Sequence, residues 1–321
     1  MDGDAKVDAG GGRVVVIAGP TASGKTGLAA KLAARLGGFV VNADSRQVYA
    51  ELDVGVAKPT AAELALAPHA LVGYRTLDDV CSAGAWARDA REAIEAGFAA
   101  RRPQRPPNPT AVVAGGTGLY VDALVRGMPD MPAVDPGVVR ELQGRLDAGE
   151  LPALLAELER LDPAYHAAVD RANGARVVRA LAVMRAGGGT TFTALRARPR
   201  ATLPYPVRYV VLDPDRERLY ARIEARVDAM VADGLEAEAR SLYPRRHLRP
   251  VQTIGYREWW PYVAGEATRE EAIAEVKRAT RHYARRQLTW NRKLPGLRLP
   301  HPDVEAVLTY LAAAPPASPP A

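Results

Sequence analysis

The stretch Val14-Val-Val-Ile-Ala-Gly-Pro-Thr-Ala-Ser-Gly-Lys-Thr26 decides the fold. Its apolar run, Val14 to Ala18, is ended by Gly19 and Pro20 and predicts a short strand buried on both faces. A helical pattern follows from Thr26 to about Leu36. Between strand and helix, Gly19, Pro20, Thr21, Ala22, Ser23, Gly24, Lys25 and Thr26 fit the pattern G-x-x-x-x-G-K-[ST]. Glycines let backbone amides wrap phosphate oxygens, and Lys25 reaches across as a point charge. The Thr26 hydroxyl, at the positive start of a helix, is placed to meet Mg2+. The pattern in this context points to a bound di- or triphosphate, with no indication of which one.

Three more apolar runs follow, at 39–41 (FVV), 111–114 (AVVA) and 209–212 (YVVL), each leaving into small or polar residues. Strands alternating with helical patterns predict an α/β protein with a P-loop NTPase-like parallel sheet. Ligands of such sheets sit at the carboxyl ends of the strands. Residues 128–204 show helical periods and no convincing strand, and prolines bound them at both ends. They are read as a helical insertion domain between core segments 13–127 and 205–310. From Asp213 onward the chain reads as helical. The proline-rich stretch 102–110 (RPQRPPNPT) predicts an extended loop, and residues 1–12 and 311–321 predict disordered ends.

Composition narrows the class. The chain has 321 residues, 48% of them hydrophobic and 25% charged, which excludes disorder over its whole length. Its single cysteine, Cys81, can form neither an internal disulfide nor a cysteine zinc site, and fits a reducing cytoplasm. No apolar run approaches the ~18 residues of a membrane span, so no membrane partner is expected; the expected assembly is a monomer. The net charge is +6, yet residues 276–298 alone hold eight Lys/Arg and no acid. On a helix, Ile273, Val276, Thr280, Tyr283 and Gln287 or Leu288 mark the packed face. Arg278, Arg281, Arg285 and Arg292 follow a neighbouring face, flanked by Lys277 and Arg286. A polyanion such as an RNA backbone is the expected partner of that face.

Two loops should share the crevice with the phosphate loop. Residues 42–49 (NADSRQVY) follow the second strand and bring Asp44 beside it, where a carboxylate takes a proton or holds Mg2+ through water; capping of a following helix by Asp44 or Ser45 is the plainer reading. Residues 115–120 (GGTGLY) follow the third strand. Asp213 stands where a Walker-B acid would, but Pro214, Asp215 and Glu217 read as a helix start.

These segments, with residues 53–59 (DVGVAKP), 222–238 (RIEARVDAMVADGLEAE), 252–258 (QTIGYRE) and 284–290 (ARRQLTW), stand in an order that resembles the tRNA dimethylallyltransferase (tRNA isopentenyltransferase) family, of bacterial type. The resemblance runs from about residue 14 to 298. It implies transfer of a dimethylallyl group from dimethylallyl diphosphate to the exocyclic amine, N6, of adenosine 37 in the anticodon loop of tRNA. It implies a catalytic set of Asp44, Thr21 and Arg226: Asp44 accepts the amine proton, Arg226 lies on the diphosphate, and Thr21, Lys25 and Thr26 hold diphosphate and Mg2+. It implies tRNA contacts at Asp44, Ser45, Arg46, Gln47, Thr117, Arg176, Arg179, Gln252, Thr253, Ile254, Gly255, Tyr256 and Arg257, to which the charge pattern adds Arg278, Arg281 and Arg285.

Other readings remain. An isopentenyltransferase for a free adenine nucleotide would need neither the basic helix nor the insertion. A kinase of a small molecule would use the same loop to bind ATP. A non-catalytic RNA-binding protein would not need Asp44, Lys25, Thr26 and Arg226 together.

Overall fold

A computed structural model describes residues 12–101 and 109–313. The disordered ends expected at 1–11 and 314–321, and the loop at 102–108, lie outside the described residues. Gly12, Pro109, Thr110 and Leu311 to Ala313 are described, and they differ from those expectations. Pro109 accepts a hydrogen bond from the Arg13 amide, Thr110 begins a strand, and Leu311 is buried in a helix.

Among the described residues one six-stranded sheet forms: β1 Arg13–Ala18, β2 Phe39–Asn42, β3 His69–Ala70, β4 Thr110–Ala114, β5 Val207–Leu212 and β6 Leu297–Leu299, in the order β3-β2-β4-β1-β5-β6. Every neighbouring pair is parallel. The central β1 aligns Val16 with Val113 on one side and Tyr209 on the other. The four strands read from the sequence are present. Two were missed: β3 and β6 are edge strands of two and three residues, too short to show a period. The stretch after Asp213 is therefore not wholly helical.

The helices are α1 Lys25–Arg35, α2 Ala61–Leu66, α3 Ala83–Arg101, α4 Gly118–Val125, α5 Pro136–Asp147, α6 Leu151–Leu161, α7 Pro163–Ala168, α8 Gly174–Ala186, α9 Phe192–Arg196, α10 Arg216–Ala232, α11 Leu235–Leu242, α12 Trp260–Val263, α13 Arg269–Asn291 and α14 Val304–Ala312. The segments Val14–Ala18 of β1, Ala111–Ala114 of β4 and Val210–Leu212 of β5 are apolar and buried because both faces of the sheet are covered there. Val15, Ile17, Val112, Val210 and Leu212 pack with Leu28 and Leu32 of α1 and Val307 and Leu311 of α14. No helix among the described residues is long and apolar enough to cross a membrane.

The described chain divides into two compact units, residues up to Val125 with those from Leu203 onward, and Arg126–Thr202. The second unit holds α5 to α9 around Leu142, Leu154, Leu158, Val177 and Leu181. Its buried Asp162 accepts from the Tyr165 amide and from the amide and hydroxyl of Thr193, so no acceptor is stranded.

Helix α3 lies so close to the sheet that a Cβ on Gly97 would overlap the Phe39 ring. In Gly97→Ala the helix gains about 1 kcal/mol of propensity, while overpacking costs about 1–3 kcal/mol. Urea unfolding should therefore show a net loss of about 1 kcal/mol; an unchanged midpoint would mean that the contact has slack.

Candidate active site

The turn between β1 and α1 is built to expose backbone amides. Gly24, the residue before α1, sits at φ 90°, which only glycine adopts without strain, and a Cβ there would press on Pro302 and the Arg222 guanidinium. Ala22 is also left-handed, at φ 61°, and it is held by packing against Leu219, Ile223 and Ala284. A non-glycine residue in that conformation stores about 1–3 kcal/mol and marks a functional turn. The loop curls back far enough for the Lys25 ammonium to donate to the Pro20 carbonyl at 2.6 Å.

Lys25 is half-buried in the recess below the turn. Burial, with the like charge of Arg226, pushes its pKa down to about 7, and Asp44 opposes the shift. Arg226 is also depressed by burial, with Asp44 and Glu63 opposing. Two half-buried cations in one recess, with Asp44 acting on both and Glu63 on Arg226, form a site suited to a polyanion.

Asp44 follows β2, whose end is held by the Trp86 indole donating to the Asn42 carbonyl. No helix begins at Asp44. Its Oδ1 accepts from the Arg46 amide at 2.9 Å and closes a turn, so local capping and a place at the site belong to the same side chain. The Thr117 hydroxyl accepts from the Ser45 amide and donates to Ser45 Oγ. Gln47 donates to the carbonyls of Val56 and Ala57 and holds the 53–59 loop.

Two cavities meet here. One, of about 70 Å3, is lined by Thr21, Lys25, Thr26, Asp44, His69, Arg226, Tyr283 and Gln287 among others. The second, of about 290 Å3, is lined by Ser45, Arg46, Met230, Gln252, Thr253, Ile254, Gly255, Arg257, Thr280 and Arg286, and shares Thr21, Asp44, Val56, Arg226 and Tyr283 with the first. The phosphate recess and the larger chamber therefore share Asp44 as a wall.

Several expectations need correction. Tyr256 was expected at the tRNA surface but is fully buried, its ring against Gly55 and its hydroxyl donating to Glu238. Glu238 also accepts from the amides of Asp53 and Gly55, so Tyr256 shapes the chamber wall from behind. The packed face of α13 is carried by Ala272, Val276, Ala279, Ala284, Gln287 and Asn291, whereas Thr280 and Tyr283 face the cavities. Sequence reasoning placed Tyr283, Gln287 and Arg286 in or beside that face. The available signal was that such polar and amphipathic residues seldom fill a purely apolar seam. The helix start expected after Asp213 is present: Asp215 caps α10, and Asp213 pairs with Arg298.

The acid-free run on α13 is not acid-free in space. Arg278 pairs with Glu275 one turn earlier, Arg281 with Glu224 and Lys277 with Asp228, both on α10. Arg285 bonds the Tyr220 hydroxyl. Arg176 and Arg179, three residues apart, are exposed on α8 of the second unit.

A parallel sheet with a P-loop-like turn, a carboxylate at the wall between two cavities and a recess lined by two cations is the architecture of an enzyme site with room for two substrates. The family model described as IPP transferase matches residues 47–294, and the chain belongs to this family. It is 47% identical over 299 residues to the tRNA dimethylallyltransferase of Anaeromyxobacter sp. (strain K), covering 92% of this chain and 95% of that protein. It is 38% identical over 299 residues to tRNA dimethylallyltransferase 1 of Phocaeicola vulgatus, covering 93% and 97%. The crystal structure of the full-length tRNA isopentenylpyrophosphate transferase of Bacillus halodurans matches with TM-score 0.66 at 34% identity, over 94% of this chain and 95% of that one. A eukaryotic dimethylallyltransferase, described as acting on tRNA, matches with TM-score 0.74 at 25% identity, over 94% and 77%.

The depressed Lys25 has a measurable consequence. An anion selects the ammonium form, so above pH 7 binding draws a proton in and affinity falls as pH rises, approaching about tenfold per pH unit. Calorimetry with inorganic diphosphate from about pH 7 to 9 should show this fall in the wild type. Lys25→Met should bind more weakly and lack that component of the pH dependence. Equal pH slopes in the two proteins would show that Lys25 is already charged in the free site.

Proposed function

We propose that the chain transfers a dimethylallyl group from dimethylallyl diphosphate to N6 of adenosine 37 in the anticodon loop of tRNA, releasing diphosphate. The observation that carries this reading is the shared wall. Asp44, Thr21 and Arg226 border both the phosphate recess and the chamber that opens beside Gln252 to Arg257.

An adenine amine is a weak nucleophile because its lone pair is drawn into the ring. Asp44 removes its proton as the new C–N bond forms. The C–O bond to diphosphate breaks in the same event, and the leaving group takes the electron pair. Lys25, Arg226 and the amides of the 19–26 turn hold that growing charge. A base stacked in an anticodon loop cannot reach Asp44, so the adenosine must be flipped into the larger chamber.

Mg2+ fits the donor set. Among the described residues no group of three or more His, Cys, Asp or Glu forms a cage. A cation that keeps its waters and shares substrate phosphate oxygens needs only one or two protein ligands, and Thr26, in the first turn of α1, lines the recess. Bound there with the substrate, Mg2+ would neutralise diphosphate charge. A free-nucleotide acceptor or a kinase reaction has no specific observation in its favour.

Two measurements test this reading. Asp44→Asn should bind an anticodon stem-loop RNA normally yet lose transfer by ~100-fold or more, read by mass spectrometry of the nucleosides. Near-normal turnover would remove Asp44 from the reaction.

The second concerns α13. Exposed ion pairs such as Arg278–Glu275 and Arg281–Glu224 are worth about 0–1 kcal/mol, little enough for RNA phosphates to displace them. Replacing Arg278, Arg281 and Arg285 together by Gln should weaken tRNA binding and flatten log affinity against log salt by about two units. Parallel lines would leave these arginines as surface pairs only.

A further inference from the structure

Gln287 is buried near the C-terminal end of α13 and uses both ends of its amide on loops of the site. Its Oε1 accepts from the Thr21 amide at 2.8 Å, and its Nε2 donates to the Gly116 carbonyl at 2.9 Å. The orientation is chemically forced, because a backbone N–H can only donate and a carbonyl can only accept. The two partners belong to the turns after β1 and β4. The Gly116 Cα is bare for a reason. A Cβ there would run into Gln287 Nε2 and stand 3.5 Å from Asp44 Oδ2. Tyr283, one turn earlier, reaches the same carbonyl at 3.4 Å.

We propose that Gln287 is a positioning residue for the transfer reaction, holding Thr21 and the Gly116 turn in register with the Asp44 carboxylate. It rests on reading Asp44 as the proton acceptor. In a phosphate loop the amides ordinarily face the anion. Here Gln287 takes the Thr21 amide, which fixes the direction of the Thr21 side chain on the wall that both cavities share. It also sets the turn on whose far side Asp44 stands. Among side chains of that length only Gln both donates and accepts without titrating. An ionised Glu keeps the acceptor for Thr21 and loses the donor for Gly116; Met keeps the length and loses both. The charged or titratable groups around Asp44 are Lys25 of α1, Arg226 of α10 and Tyr283 of α13, with His69 of β3 lining the smaller cavity and Arg46 the larger one. A carboxylate at position 287 would add negative charge among them, which favours the protonated form of Asp44.

The experiment compares wild type, Gln287→Met and Gln287→Glu with dimethylallyl diphosphate and an anticodon stem-loop RNA, following kcat, KM and pH. Gln287→Met should lose kcat by ~100-fold, the scale of an ångström's misplacement, while KM for RNA and affinity for inorganic diphosphate stay within about threefold. Gln287→Glu should recover part of that kcat, and the acid limb of its pH profile should move to higher pH by about one pH unit. A Gln287→Glu limb superimposed on the wild type overturns the proposal. So does a Gln287→Met protein whose kcat, RNA affinity, diphosphate affinity and melting temperature fall together. Asp44→Asn at full activity would instead refute the reading of Asp44, so the two failures are distinguishable.

Discussion

Lys25 and Arg226 are held together in one partly buried recess, and much of the structure follows from that. Two like charges brought out of water repel each other and lose hydration, and the shift of Lys25 toward neutrality measures the tension. Asp44 offsets part of it at both cations, and Glu63 part of it at Arg226. A multiply charged anion relieves the repulsion between such cations. The cost is carried by the sheet and its covering helices, whose buried apolar strands are worth roughly 25 cal/mol for each Å2 removed from water.

Rigidity at the recess comes from three fastenings, each joining segments distant in sequence. Ala22, in a strained conformation, is packed against Leu219, Ile223 and Ala284. Gln287 ties the Thr21 amide to the Gly116 carbonyl. Glu238 gathers the Asp53 and Gly55 amides and the Tyr256 hydroxyl, which closes the 53–59 loop against the 252–258 segment. All three depend on α10, α11 or α13. The C-terminal helices therefore complete the site that the first strand begins.

This arrangement explains which parts were legible. The strand at 14–18, the turn at 19–26 and the start of α1 are local: their apolar run, glycines and lysine sit side by side in the chain. The four longer strands were readable for the same reason, since burial on both faces leaves an unbroken apolar signature. His69–Ala70 and Leu297–Leu299 carry too few residues for any period, and their strand character comes from the neighbour they pair with. Tyr256 lies in a segment read as surface, and nothing local announces that its ring is buried against Gly55. Tyr283 and Gln287 obey helical spacing, so periodicity placed them on the packed face. Only partners from the turns after β1 and β4 reveal that this face lines the site.

The basic helix shows how far charge counting can go. Within residues 276–298 every charge is positive, but electrostatic energy depends on distance in space, and Glu224 and Asp228 arrive from α10. The pairs they make are exposed and weak, so they hold the arginines in defined directions without satisfying them. A polyanion can exchange one weak partner for another while releasing its own counterions. The same helix presents Tyr283 and Arg286 to the larger chamber and Gln287 to the phosphate loop. A rod of 23 residues thus carries both a side of weakly paired arginines and an amide that ties the loops of the site. Displacing the rod would disturb both at once, which is the physical reason to place binding and alignment on one element.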